Sequence, residues 1–94
     1  MKEISAQVSL YPLRQQDLRT TIRSAWKIFE SHGLEVRPGA MSTVIWGEMG
    51  EVFDALEEAF AMADEAGDAV MVVTFSNACP KPGSEGSSDN ARPK

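Results

Sequence analysis

The sequence predicts an α+β fold of order β-α-β-β-α-β: a four-stranded antiparallel sheet with two helices on one face, the ferredoxin-like sandwich. Three observations predict it. Residues 3–13 alternate apolar and polar with period two. Two helical stripes share one i, i+4, i+7, i+8, i+11 spacing and begin 34 residues apart, at Leu18 and Val52. Three further short runs of strand character lie two between the helices and one after them.

In "EISAQVSLYPL", Ile4, Ala6, Val8 and Leu10 point one way while Ser5, Gln7, Ser9 and Tyr11 point the other, as in a half-buried strand. Pro12 is expected to stop it. The first helix follows in "QQDLRTTIRSAWKIFESHG", with its stripe at Leu18, Ile22, Ala25, Trp26 and Phe29. Asp17 or Gln16 lies near its start, and Gly33 suits a left-handed stop. "LEVRPGA" reads as a short second strand ending at the turn Pro38-Gly39, and "MSTVIWGE" as the third. The second helix is expected over about 49–66, with Val52, Leu56, Ala59, Phe60 and Ala63 inward and Gly67 closing it. "DAVMVVTFSNA" is the fourth strand. Its Ala69–Val73 stretch is apolar on both faces, which implies cover on both sides. The tail 80–94 has no large apolar residue and is rich in Pro, Gly and Ser, so it is expected to be disordered, leaving one domain over 1–79.

A 94-residue chain buries only about 60–65% of its unfolded surface, so self-association is expected. A ferredoxin-like monomer also leaves one sheet face bare. A homodimer, or a homotetramer, formed through sheet faces would cover it. Net charge is −5, and residues 1–79 hold six basic against twelve acidic side chains. That balance opposes binding to nucleic-acid phosphates. The longest apolar run, Ala69–Val73, is far short of the roughly 20 residues of a membrane helix. The opening "MKEISAQVSL" has an acid at position 3 and no long apolar core, unlike a secretory signal. A cytoplasmic protein with no nucleic-acid or membrane partner is expected. One cysteine and one histidine, Cys79 and His32, do not make a zinc site.

Three segments in order, "ISAQVSLYPL" at 4–13, "GAMSTVIWGE" at 39–48 and "VMVVTFSNACP" at 70–80, resemble the YkoF-related family of thiamine- and hydroxymethylpyrimidine-binding proteins. The resemblance implies the same fold and a binding protein of thiamine salvage or transport. It implies no catalysis and no cofactor beyond thiamine or hydroxymethylpyrimidine as ligand. Some members carry two tandem copies of this domain, so it also implies that a homo-oligomer supplies the second copy here. The polar tail departs from the family pattern.

An aminopyrimidine is flat, with donors and acceptors on its edge. A pocket for it needs a few fixed polar groups and apolar walls. Thiamine adds a cationic ring that favours an aromatic face or a carboxylate. Candidate ligand residues are Gln7, Ser9 and Tyr11 on the first strand, Met41, Ser42 and Thr43 at the start of the third, Glu48 at its end, and Ser76 and Asn77 at the end of the fourth. Each has a plainer role. Ser42 and Thr43 can cap the turn, and as strand neighbours they face opposite sides. Met41 can fill core, Glu48 can serve the helix N-terminus, and Asn77 can close an Asx turn. Gln7, Ser9 and Tyr11 need no ligand on a bare surface but need partners if the face is covered. Trp46 and Trp26 read as core, although Trp46 could stack on a ring. His32 reads as a surface or capping residue, and the acids of the second helix as a solvated face. Two other readings stay open: a ferredoxin-like regulatory or protein-interaction module, and an enzyme on the same scaffold. The last lacks any cofactor motif or acid–base pair at a telling spacing.

Overall fold

A computed structural model describes residues 2–14, 17–40 and 42–78. Cys79, the polar tail and Met41 lie outside them. The order is β1 (Glu3–Leu13), α1 (Leu18–Ser31), β2 (Glu35–Pro38), β3 (Thr43–Glu48), α2 (Met49–Ala66) and β4 (Asp68–Ser76). The four strands form one antiparallel sheet in the spatial order β2-β3-β1-β4. This is the ferredoxin-like fold that the residue patterns predict.

One boundary moves. β1 runs through Pro12, which pairs with Ala69, instead of stopping there. The pairing explains why. β1 meets β3 only from Glu3 to Val8, whereas it meets β4 from Ser5 to Leu13. Beyond Val8 the strand has a neighbour on one side only. A strand edge is where a missing N–H is tolerated.

Residues paired across antiparallel strands share a face. Ile4, Ala6 and Val8 therefore lie on the same face as Ile45 and Val73, beneath the helices. Phe29, Ile45 and Val52 are the largest fully buried side chains. On α2, Ala55, Ala59 and Ala63 are each 0% exposed. Their small side chains let that helix lie close to the sheet. Phe60, expected inward, is 41% exposed, and Ala55 takes a place in the buried stripe instead. Phe53 stacks on Phe75 of β4, with ring centroids 4.6 Å apart. Phe60, seven residues on, lies on the same face of α2 as Phe53.

The other sheet face carries Gln7, Ser9, Tyr11, Val44, Trp46 and Val72. Trp46 is thus half-buried on the open face and not in the core. β4 is an edge strand; Met71 and Val73 pack against the core on its helix side, while on the open face Val70 and Val72 are 46% and 54% exposed.

The helix ends follow from their caps. Asp17 accepts from the Thr20 backbone N–H (3.1 Å) and hydroxyl (2.6 Å). Those two bonds hold its carboxyl below its ordinary range. At the other end of α1, Gly33 takes φ 79, the left-handed conformation that glycine adopts without strain. The Leu34 N–H then returns to the Phe29 carbonyl (3.2 Å).

His32 does more than cap. Its Nδ1 lies 2.8 Å from a Glu51 oxygen and its Nε2 2.8 Å from a Glu58 oxygen, tying the end of α1 to α2. Both ring nitrogens donate only when the imidazole is protonated. The bond to Glu58, then that to Glu51, raises the His32 pKa above its ordinary 6.5. A raised folded-state value stabilises the fold most below pH 6.5. The contribution fades as pH climbs through the raised value. Chemical denaturation across that range should show stability falling with pH, and His32→Gln should flatten this slope. An unchanged slope would exclude the His32 contact as its source.

Candidate functional site

The candidate residues fall into three places. Gln7, Ser9 and Tyr11 lie on the open sheet face, where Gln7 Nε2 donates to Ser42 Oγ at 3.0 Å. Glu48, Ser76 and Asn77 lie at the other end of the sheet. There the Glu48 carboxylate caps α2 by accepting from the Glu51 N–H (3.2 Å), the plainer of its two expected roles. Ser76 and Asn77 border an open hollow of ≈ 480 Å³ with Met49, Phe53 and Phe75. Ser76 Oγ accepts from the Ala78 N–H (3.0 Å), so the strand closes on a side-chain turn.

Thr43 stands apart. It pairs with Val8 and so faces the helices, where its hydroxyl accepts from Trp26 Nε1 at 3.0 Å. The two close the polar end of a cavity of ≈ 100 Å³ between α1 and the sheet. Val8, Leu10, Ile22 and Phe29 furnish apolar walls, and Gly39, Ala40 and Ser42 lie at its rim. Thr43 is only 9% exposed. With its oxygen engaged by the indole, its hydroxyl hydrogen can still be donated to a guest.

Residue reading named Thr43 and Ser42, which line this cavity, as candidates and read Trp26, which also lines it, only as core, because its stripe position suits a core residue. The signal was there in parity. Thr43 shares the inward face with Ile45, and Trp26 lies on the inward stripe of α1. The His32–Glu51–Glu58 link and the Phe53–Phe75 stack join residues distant in the chain, and no spacing announces them.

Fold and cavity together define a small ferredoxin-like domain with a hollow between its first helix and the sheet. The chain belongs to the YkoF-related family, which its residues 3–82 match. UPF0045 protein MJ1052 of Methanocaldococcus jannaschii is 32% identical over 60 residues, 63% of this chain and 60% of that relative, hence less than two thirds of its length. The crystal structure of MJ1052, described as a hypothetical protein, superposes with a TM-score of 0.78 at 25% identity, covering 97% of this chain and 96% of that one. A Thermotoga maritima protein described provisionally as one of thiamine biosynthesis or salvage superposes with a TM-score of 0.69 at 20% identity, covering 96% and 99%. Protein SP2199 of Streptococcus pneumoniae superposes with a TM-score of 0.71 at 19% identity, covering 94% and 98%. Among the described residues, no helix is long and apolar enough to cross a membrane.

Proposed function

We propose that this protein reversibly binds hydroxymethylpyrimidine, free or as the pyrimidine half of thiamine, in the cavity beneath α1, without turning it over. The observation that carries this reading is the Thr43–Trp26 hydrogen bond at the polar end of an otherwise apolar cavity. Size limits the fit to one ring at most: a cavity of about 150 Å³ holds benzene, and this one is ≈ 100 Å³, so the substituents of the pyrimidine would lie at its open rim. The thiazolium of the whole vitamin would project past that rim. Family membership and the Thermotoga neighbour's description support the same chemistry. A second copy through the open sheet faces fits the exposure of Tyr11, Val70 and Val72.

Calorimetric titration with hydroxymethylpyrimidine, thiamine and cytosine tests this. Heat is expected with the first two and not with cytosine. Thr43→Val should weaken binding by about 1–3 kcal/mol, since it strands polar groups of ligand and Trp26. Asn77→Ala, at the other end of the sheet, should leave affinity unchanged. Loss with Asn77→Ala but not with Thr43→Val would move the ligand to the strand-end hollow. No heat with either thiamine-related compound would favour the protein-interaction reading, to which the exposed Phe53–Phe75 stack already lends some support.

A further inference from the structure

We infer, resting on the ligand reading above, that the cavity beneath α1 takes its guest as a phosphate monoester, with the phosphate held outside the rim by Arg19 and Arg23.

Charge is segregated between the two helices. α2 carries six acidic side chains and no basic one. α1 carries Arg19, Arg23 and Lys27, with Glu30 as its single acid. These three are half of the six basic side chains in residues 1–79. Arg19 and Arg23 lie four residues apart, as do Arg23 and Lys27, so the three form one ridge along the helix. Like charges at that spacing repel and weaken a helix. All three are exposed, and none has an ion-pair partner among the described residues.

The ridge runs beside the cavity. At 3.6 residues per turn, successive side chains stand about 100° apart around a helix. Ile22 and Trp26, which line the cavity, are then about 40° apart. Arg19 and Arg23 come next around the helix, about 60° and 100° from Ile22 in the direction of Trp26. His32, which meets α2, lies about 80° from Ile22 in the opposite direction. The acids of α2 are therefore on the other flank of α1, and the arginines follow directly on the cavity wall.

An arginine pair in this place suits a phosphate. With the ring in the cavity, its hydroxymethyl group lies at the rim, and a phosphate on that oxygen would enter the space beside α1. Guanidinium groups bind phosphate oxygens through paired N–H donors. A doubly charged ester would also relieve the repulsion within the ridge. The same ridge disfavours the thiazolium of thiamine, a cation attached through the same carbon. Nucleic-acid phosphates are a poorer match, since the whole chain stands at −5.

Calorimetric titration of the full chain with hydroxymethylpyrimidine, its phosphate monoester, thiamine and inorganic phosphate tests this. The ester should bind at least about tenfold more tightly than the alcohol. Raising monovalent salt toward 1 M, where the Debye length falls to about 3 Å, should erode that advantage, a readout that needs no variant. The exposed double substitution Arg19→Gln with Arg23→Gln should bring the ester down to the level of the alcohol. Thr43→Val should weaken both, since both place the same ring in the cavity. Equal affinity for alcohol and ester would overturn the inference while leaving the ligand reading intact. So would an advantage that survives the double substitution, inorganic phosphate binding as tightly as the ester, or thiamine doing so. No heat with either alcohol or ester would remove the ligand reading and this inference together.

Discussion

Phe29→Ala is expected to cost about 3–5 kcal/mol of folding stability, the range for truncating a buried phenylalanine. Phe29 is 1% exposed and packs between α1, the sheet and Leu34. Its backbone carbonyl also receives the chain reversal that ends α1. Alanine keeps the helix but leaves a void in the core beside the cavity that Phe29 borders. A domain this small holds a total stability toward the lower part of about 5–15 kcal/mol, so the variant should sit near its unfolding midpoint at ambient temperature. Urea denaturation of the two proteins measures this. A loss under about 1.5 kcal/mol would mean that the site relaxes and that Phe29 is not central to the core. Phe29 also borders the cavity under α1. Any variant that remains folded should therefore have a larger cavity and a weakened preference for a single ring.

Gly47→Ala is expected to destabilise by about 1–3 kcal/mol through overpacking. Gly47 lies opposite Ile4 on the helix-facing side of the sheet. A β-carbon there would fall 2.3 Å from Leu34 Cδ2. Leu34 is itself buried, 6% exposed, so its methyl cannot swing into solvent. Leu34→Ala alone should cost about 2–5 kcal/mol by leaving a void. The double variant tests the contact: the new β-carbon would enter the space the leucine vacates. The pair should cost less than the sum of its parts by about 0.5–3 kcal/mol, the coupling expected of touching residues. Strict additivity would show that the two side chains do not compete for one space.

The elements were legible because each local pattern agreed with the whole. Alternation in β1, the two matched stripes and the capping residues all pointed to one topology. What failed to show was whatever depends on where a segment lies in the sheet. Pro12 reads as a stop because proline removes a donor, yet it lies where β1 has lost one of its two neighbours and needs no second donor. Phe60 shares the stripe spacing of α2, but the buried face of that helix is centred on Val52, Ala55, Ala59 and Ala63, and the ring is left 41% exposed. β4 is apolar on both faces, like a central strand, although it is an edge. In the site, Thr43 and Ser42 could be picked out as hydroxyls beside a turn. Their division between the two faces follows from strand parity: Ser42 meets Gln7 and Thr43 meets Trp26. That Glu48, Ser76 and Asn77 gather at the opposite end needs the register, which spacing alone does not supply.

The early loss of β3 as a neighbour of β1 also governs access. Past Val8 and Thr43 the sheet narrows to the β1–β4 pair, and the cavity under α1 lies against that notch, bordered by Gly39, Ala40 and Ser42. The proposed guest would enter from this side, where no helix has to move. Capture is therefore expected to be governed by how often molecules collide with the notch, and the residence time by how well the walls grip the ring.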